Sequence, residues 1–507
     1  MMEENRENPW GGYTSPPAPP RREYPVGGKE LLFGLLILIA SLLLCNFNLF
    51  GGYNLGFGIG MGLVLLCTGG YLLLSGCRLK PYSAILAGLC LVIAAGFGRS
   101  DDGFVKFVMV CFLFVGGNLA VTSLAGKNRR DPGSFATLAD VFYTAFAHSF
   151  RLDGAFFGLR TAFRKSGTAA KKGGAIVAGL VIALPLMLIM IFLLMRADAA
   201  FEGLMDLLPD FELVELVPTV LFGGMLFCLL FARGLSLRHC TGEAPKKQER
   251  KGINALTVHT VLIAVCGVYL VYLFSQLAYF AGGLAGILPE GYTTAEYARR
   301  GFFEMAWLCA INLGIIGAAV GVVEKKKGTP VLTKVLCLFI SVITVFFVAA
   351  ASGKMFLYIG TYGLTRLRVL TQVIMLFLCL TTVLVAVWLF VPKLPYMKCV
   401  LVAALLIGAV VFWADVDTVV ARYNVRGYLS GKLETVDVEH LASLNCSAIP
   451  YIDELSRKAP DQEVREMCNA ILENWYYAPP EDFRGWNWAQ YTAQPYLPAE
   501  AEGDTLG

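Results

Sequence analysis

Long apolar runs separated by short polar segments are the dominant pattern along the chain. Most of these runs approach the ~20 residues that an α-helix needs to cross a ~30 Å hydrocarbon layer. They predict eleven transmembrane helices, near residues 31–50, 54–75, 82–98, 104–125, 174–195, 214–233, 257–280, 302–323, 331–351, 368–391 and 398–415. The run at 82–98 is the weakest, because it is short and rich in small residues. The pattern therefore indicates an all-α, polytopic transmembrane bundle.

Polar segments at both ends of the bundle define the domain organisation. Residues 1–28 combine six prolines with charges, a composition that predicts a disordered cytoplasmic leader before a bundle over 29–416. The chain then turns polar, with 15 acidic and 7 basic residues in the last 91. We predict a soluble helical tail domain over 417–495, with two helices in 435–475, and a disordered end over 496–507.

The positions of lysine and arginine predict the orientation in the membrane. Counted over alternate connections, the inner segments hold 26 of these bases and the outer segments hold 8. Because basic residues are retained on the cytoplasmic side, the N-terminus is predicted to be cytoplasmic. With eleven spans the tail then lies on the outer side of a bacterial cell membrane. If one predicted span did not cross the membrane, the tail or the leader would lie on the opposite side.

Composition narrows the class of protein. Hydrophobic residues make up 56% of the chain and charged residues 16%, against roughly 25% charged residues in soluble domains. The net charge of +4 gives no support for a nucleic-acid partner. The four histidines are scattered, so no metal site and no cofactor are predicted. Cys446 and Cys468 are the tail's two cysteines, and a bridge between them or two structural thiols both remain open.

Two connections have a pattern of their own. In 134–165, phenylalanines recur at helical spacing beside Arg151, Arg160 and Arg164, which is typical of an amphipathic helix in the inner interface. A helix packed beneath the bundle is the equal alternative. On the outer side, 196–213 carries five acidic residues around an apolar face and predicts a short amphipathic cover.

Few ionisable or polar side chains fall within the spans, and each is a candidate for a site because burial in hydrocarbon is costly. Glu304 lies near the outer end of its span, and Asp415 lies at the outer end of the last one. Both can reach the interface by snorkelling. Asn312 lies deeper, where neutral polar groups more often bond between helices than bind a substrate.

The outer segment 352–368 combines basic with aromatic residues, and we call it the basic-aromatic segment. If it is helical, Tyr358 and Tyr362 share one face. Guanidinium groups suit phosphate or carboxylate, and tyrosines suit the headgroup boundary. The candidates for contact with an anionic lipid or a substrate are Lys354, Tyr358, Tyr362, Arg366, Arg368, Glu304 and Asn312. An anchor that only fixes the segment at the interface is the alternative.

Three stretches carry a resemblance to known proteins: YIGTYGLTRLRVLTQ at 358–372, the region 420–455 that begins VARYNVRGY, and DFRGWNWAQYTA at 482–493. They are similar to the bacterial membrane proteins of domain of unknown function 4173, with its relative 4153. The matching residues are Tyr358, Gly363, Leu364, Thr365 and Arg368, then Arg422, Tyr423 and Asn424, with Phe483 where tryptophan is usual. The resemblance implies a helical membrane fold and no reaction. We predict that the Arg422–Tyr423–Asn424 element caps the last span and docks the tail on the basic-aromatic segment.

The leading functional hypothesis is a non-enzymatic, envelope-related scaffold or sensor, and no catalytic residue is assigned. One alternative is a transporter or lipid flippase, which the glycine-rich spans near 54–75 and 302–323 favour. The other is a membrane transferase acting on a lipid-linked substrate, with Arg366, Arg368 and Glu304 as its candidate residues. The predicted partners are membrane lipids with anionic headgroups, and no particular protein partner is predicted.

Overall fold

The computed structural model describes residues 24–128, 137–152, 213–239, 252–284, 302–324, 329–475 and 482–497, with a few single positions between 186 and 197. Within these ranges the chain is helical, and the only extended pairing is an isolated bridge between Ile253 and Val323. The prediction of an all-helical fold is confirmed over this part of the chain.

Eleven helices form the bundle within the described ranges. In chain order they are α1 Gly28–Gly51, α2 Leu55–Leu74, α3 Pro81–Ala95, α4 Gly103–Ala125, α5 Thr137–Ser149, α6 Leu213–His239, α7 Ala255–Leu284, α8 Phe302–Val322, α9 Val331–Tyr362, α10 Arg366–Phe390 and α11 Tyr396–Ala414. All except α5 are long and apolar enough to cross a membrane, so the described residues hold ten candidate spans. The prediction of a multi-pass membrane protein is confirmed. The predicted span 174–195 and the acidic cover 196–213 lie almost entirely outside the described residues.

Two groups of helices pack around separate cores. Helices α1 to α4 and α6 form the first group, in which Leu86 and Met109 are fully buried. Helices α7 to α10 form the second group around Ile316. Helix α11 joins them, because Leu405 packs in the first core and Tyr396 packs in the second. The two groups are therefore continuous through α11.

The contacts of α2 depend on small residues. An added Cβ at Gly58 would lie 2.1 Å from the carbonyl oxygen of Ala94 in α3, and one at Gly60 would lie 2.8 Å from the Cα of Leu44 in α1. No larger side chain fits at either position without displacing backbone. Glycine thus lets α2 approach both neighbours closely, which is the usual way in which helices associate in lipid.

Helix α9 is longer than the sequence predicts. The predicted span ends at residue 351, but the helix continues to Tyr362 and spans 32 residues. At 1.5 Å per residue it is about 48 Å long, against a hydrocarbon layer of ~30 Å. The extension is helical because Met355 and Ile359 continue the buried stripe and pack in the second core. Most of the basic-aromatic segment is therefore the last three turns of α9.

Helix α5 packs on the bundle at the end farthest from the tail, which we call the far end. The Nδ1 atom of His148 lies 2.7 Å from the hydroxyl of Ser236 in α6. Phe142 and Phe146 remain 53% and 54% exposed, although they touch the ring of Phe114. Helix α5 thus packs against the bundle on one face and leaves the phenylalanine row on its surface. Residues 153–165 of the predicted amphipathic segment lie outside the described residues.

The tail forms five short helices, α12 Val416–Leu429, α13 Val438–Ala442, α14 Ile449–Lys458, α15 Gln462–Glu473 and α16 Trp488–Ala493. The sequence predicts two helices over 435–475, but three form there, because Asp437 caps α13 and Pro450 begins α14 separately. Ile452 and Cys468 are fully buried in the tail's own core. Cys446 and Cys468 are both free thiols.

Candidate functional site

The tail meets the bundle through a cluster of buried charges centred on Arg366, the first residue of α10. Its Nε and Nη2 atoms donate to the two carboxylate oxygens of Asp417 at 2.6 and 2.7 Å. Its Nη1 atom lies 2.8 Å from Oδ2 of Asp102. Asp102 and Asp417 are only 4% and 2% exposed. We call these three residues, with Asp415, the tail junction, and the bundle end that carries it the tail end.

Local structure fixes each carboxylate of the tail junction. Asp102 caps the N-terminus of α4, where its Oδ1 accepts from the backbone N–H of Val105 at 2.7 Å. Asp415 connects α11 to α12 with a φ of 51°, so the chain turns sharply as it leaves the membrane. Its Oδ2 accepts from the hydroxyls of Thr418 and Ser447 at 2.6 and 3.1 Å. The Ser447 bond connects the last span to the turn before α14.

Asp415 therefore does not snorkel into the interface. It is 1% exposed, and its Oδ1 is buried without a hydrogen-bond partner among the described residues. The tail covers the end of the last span, so the position that the sequence places at the membrane surface becomes part of a protein interior.

Burial governs the acidity of these carboxyls. Burial raises the pKa of Asp417 to about 6, although the adjacent Arg366 acts in the opposite direction. Burial also raises the pKa of Asp415, against the hydrogen bonds from Thr418 and Ser447. The neighbouring Asp101 has its pKa raised for the same reason. Asp415, Asp417 and Asp101 thus lose a proton less readily than they would in water.

Asn424 of α12 attaches the tail to the link between α9 and α10. Its Oδ1 accepts from the backbone N–H of Leu364 and its Nδ2 donates to the Leu364 carbonyl, both at 2.7 Å. Gly363 precedes this pair with a φ of 73°, and an added Cβ there would lie 2.6 Å from Asn424 Oδ1. Arg422 is exposed, while Tyr423 is half-buried beneath the ammonium group of Lys432. Asn424 alone of the three predicted docking residues bonds to the link.

Replacing Asn424 with alanine is expected to destabilise the protein by about 2 kcal/mol, because two partly buried backbone groups of Leu364 lose their partner. The measurement is thermal unfolding of the purified protein in detergent. Asn474→Ala is the matched control, since the Asn474 amide bonds only to the carbonyl of Ala470 in an exposed helix end. Equal melting temperatures for the two variants would contradict the attachment role.

The other basic-aromatic residues contact one another at the tail end. The guanidinium of Arg368 lies 4.3 Å from the ring centroid of Tyr358, and its Nη1 donates to the carbonyls of Tyr362 and Gly363. The rings of Tyr358 and Tyr362 are 4.9 Å apart. Arg368 thus closes the C-terminus of α9, where cations complement the exposed carbonyls.

Two further predicted site residues lie apart from the tail junction. Glu304 is exposed in the first turn of α8 and interacts electrostatically with Lys354. Asn312 is fully buried, accepts from the hydroxyl of Tyr269 at 2.5 Å and donates to the hydroxyl of Thr344 at 2.9 Å. Helix α8 is continuous through Asn312, which bonds three helices together.

A second attachment of the tail escapes the site prediction from sequence. Arg484 donates to Glu215 at the start of α6 at 2.6 Å and 3.2 Å, and also to Asn46 of α1. Asn487 donates to the carbonyl of Ser100 at 2.7 Å and to the amide oxygen of Asn54 at 3.2 Å. Both residues lie in the DFRGWNW stretch. Its charged, aromatic and amide residues were the only feature of the sequence that could have indicated this attachment.

Comparison with known proteins places most of this site in one family. Residues 83–455 match the family described as a domain of unknown function (DUF4153), which is more than half of the chain. All four residues of the tail junction, and Asn424, fall within that range, whereas Arg484 and Asn487 lie beyond it. No curated protein and no solved structure matches the chain. The chain therefore belongs to the DUF4153 family.

Proposed function

We propose that this protein is a non-enzymatic scaffold or sensor of the bacterial cytoplasmic membrane that acts in the envelope. The observation that carries the proposal is the position of Arg366. One guanidinium bonds a carboxylate at the start of a membrane helix, Asp102, and a carboxylate of the tail, Asp417. A change in the tail is thus coupled directly to the helix ends at the membrane surface.

The contacts of the basic-aromatic segment support this role over a transferase. Arg366 and Arg368 are the arginines that a transferase would use for a phosphate, and both donate within the chain. The lipid contact of this segment is then best assigned to Tyr362, which is 51% exposed at the end of α9. Tyrosine is enriched at the headgroup boundary of membranes. We also propose, from the motifs, that the protein is related to the family of domain of unknown function 4173.

We infer that the tail lies on the outer side and the leader in the cytoplasm. The bias of 26 to 8 lysines and arginines between the two sides supports this orientation. Cys446 cannot report on it, because its side chain is buried. An exposed position in α15, as in Glu473→Cys, gives an accessible reporter.

Labelling with a membrane-impermeant thiol reagent tests the orientation. We expect Glu473→Cys to react in intact cells and Lys393→Cys, exposed in the link between α10 and α11, to react only after lysis. The unmodified chain gives the background from native cysteines. The reverse order of labelling would invert the topology and remove the envelope role of the tail.

A test of the role itself compares cells that lack the protein with cells that carry it. An envelope scaffold or sensor predicts that its loss raises uptake of a hydrophobic dye or sensitivity to detergent. We expect the chain with Arg366→Ala to leave that defect and the chain with Arg457→Ala to correct it, because Arg457 is 70% exposed in a local pair. Loss of the protein without any change in permeability or detergent resistance would argue against the envelope function.

A transporter or lipid flippase is the second candidate function, and one observation favours it. A cavity of about 340 Å³ lies among α1 to α6 and is lined by both Asn118 and Arg233. A polar group inside the bundle is the feature that a passage for an amphipathic substrate requires. The site that this cavity forms does not depend on the tail junction.

A further inference from the structure

The cavity among α1 to α6 has almost entirely apolar walls. All six helices contribute, and the apolar lining includes Leu44, Leu65, Leu113, Phe114 and Leu226. Its volume of about 340 Å³ falls in the range of roughly 300–1,000 Å³ that small-molecule sites occupy. The walls therefore suit a hydrocarbon chain.

Two polar groups in this cavity have unused hydrogen-bonding capacity. Asn118 of α4 is 6% exposed; its Nδ2 donates to the carbonyl of Phe114 at 2.5 Å, but its Oδ1 is buried without a partner. Arg233 of α6 makes no hydrogen bond or ion pair with any described residue. By contrast, the hydroxyl of Thr68 bonds within its own helix, to the carbonyl of Val64. Among the described residues, the cavity thus presents one acceptor and one cation that have no partner.

The two groups lie at a similar depth. Asn118 is seven residues from the far end of α4 at Ala125, and Arg233 is six residues from the far end of α6 at His239. At 1.5 Å per residue these offsets are about 10 and 9 Å. Because α4 and α6 are about 35 and 40 Å long against a hydrocarbon layer of ~30 Å, part of each offset lies outside that layer, and both groups lie near its far-end boundary, within reach of a lipid headgroup.

The charge around Arg233 is positive. His148 on the adjacent α5 has its pKa lowered to about 4, first by burial and then by Arg151, Arg233 and Lys127. No carboxylate contributes to that shift of His148. An unpaired cation at this depth costs a few kcal/mol, and an anion beside it removes most of that cost.

We propose that this cavity binds one anionic phospholipid from the membrane leaflet at the far end. Its phosphate pairs with Arg233, a headgroup or glycerol hydroxyl donates to Asn118 Oδ1, and one acyl chain fills the apolar space. The chain enters beside α5, where Phe146 and Phe150 line the cavity and are 54% and 65% exposed. The occupant has to be an amphiphile, because an apolar molecule leaves Arg233 unpaired and a free anion leaves the cavity empty.

Native mass spectrometry of the full-length protein tests the site, with phosphatidylglycerol and phosphatidylcholine as probes. We expect one phosphatidylglycerol to remain bound through delipidation. Arg233→Gln is expected to weaken that binding ~10-fold or more, since a charge-assisted contact is worth about 1.5–3 kcal/mol. Arg238→Gln, which removes an exposed base from the same helix, is expected to leave binding unchanged. Equal binding by wild type and Arg233→Gln would overturn the assignment of the phosphate.

Filling the cavity gives a second variant that does not depend on charge. Gly117 lines the cavity, and an added Cβ there meets nothing within 4 Å, so Gly117→Leu occupies the space without a clash. Gly314→Leu, on the exposed face of α8 and equally free of neighbours, is the matched control. We expect the first to abolish retention of the bound lipid and the second to retain it. Retention by Gly117→Leu would place the lipid elsewhere.

Inorganic phosphate separates a lipid from a free anion. We expect inorganic phosphate, added in 10-fold molar excess to the delipidated protein, to give no thermal stabilisation, whereas phosphatidylglycerol added in mixed detergent micelles stabilises the wild type and not Gly117→Leu. Stabilisation by phosphate alone, equal to that by the lipid, would make this an anion site and overturn the proposal. The tail junction is unaffected by either outcome, so the lipid site and the proposed scaffold role fail independently.

Discussion

Replacing Arg366 with alanine is expected to detach the tail from the bundle. The substitution leaves the nearly fully buried carboxylates of Asp102 and Asp417 without the cation that pairs them. The remaining Lys106 interacts with Asp101 and Asp102 rather than with the tail's carboxylate. Removing one partner from a buried ion pair costs about 3–5 kcal/mol, because the remaining charge has lost its water and its counter-charge. A docked tail cannot hold two such carboxylates, whereas a detached tail returns Asp417 to water.

Two buried cysteines report whether the tail detaches or unfolds. The thiol of Cys446 belongs to the tail's core but also interacts with Asp101 in the link between α3 and α4, so detachment of the tail removes one side of its cover. Cys468 is buried within the tail's own core and becomes accessible only when the tail itself unfolds. We expect Arg366→Ala to speed thiol labelling of Cys446 and to leave Cys468 protected. Protection of both thiols would show that the tail does not depend on Arg366.

A control and a rescue accompany this experiment. Arg457→Ala removes a cation from the pair with Asp453, and surface pairs of this kind contribute about 1 kcal/mol or less.

A triple change, Arg366→Met with Asp102→Asn and Asp417→Asn, removes the three charges of the ion pairs together. Asparagine at residue 102 still caps α4, so the cap is kept. We expect the triple variant to recover much of the docking that Arg366→Ala loses, because residues 102 and 417 then carry no uncompensated buried charge.

The helices of this protein could be predicted from the sequence, because an apolar run of sufficient length has few alternatives in lipid. The end of α9 could not. Lys354 interrupts the apolar run after residue 351, and only the tertiary contacts of Met355 and Ile359 show that the helix continues. Tertiary packing overrides the local signal at that point.

The sequence allowed only the basic partner of the tail junction to be predicted, and not its carboxylates. Arg366 was recognisable as a group that binds an anion, since a guanidinium near a helix end suits a carboxylate or phosphate. Its partners are carboxylates of the same chain, and Asp417 is 51 residues away. Sequence spacing does not show which helix ends are neighbours, so an external lipid and an internal aspartate predict the same local pattern.

Acidification from pH 7 to pH 5 is expected to strengthen the docking of the tail. Burial raises the pKa of Asp417 to about 6 in the docked state, against an ordinary value of 3.8 when the tail is detached. Between these two values the docked state binds a proton that the detached state does not bind. Docking therefore gains free energy as the pH falls through this window, about 1.4 kcal/mol by pH 5, which lies one pH unit below the docked pKa, at 1.36 kcal/mol per unit. Asp415 and Asp101, whose pKa values burial also raises, act in the same direction.

The labelling rate of Cys446 in nanodiscs measures this effect, after correction with a model thiol for the pH dependence of the reagent. We expect slower corrected labelling at pH 5 than at pH 7 in the wild type. Asp417→Asn cannot take up the proton, so most of the pH dependence should disappear. Any remainder belongs to Asp415, Asp101 and His440. The pKa of His440 is lowered by burial and by Arg366 and Arg368, so this group acts in the opposite direction. Substitution of Asp453, a partly buried carboxylate of α14 that pairs with the exposed Arg457, is expected to leave the pH dependence unchanged. Faster labelling at pH 5 would mean that the pair with Arg366 outweighs burial. A flat profile in the wild type would favour a scaffold over a pH-responsive sensor, because the junction would then hold equally at both pH values.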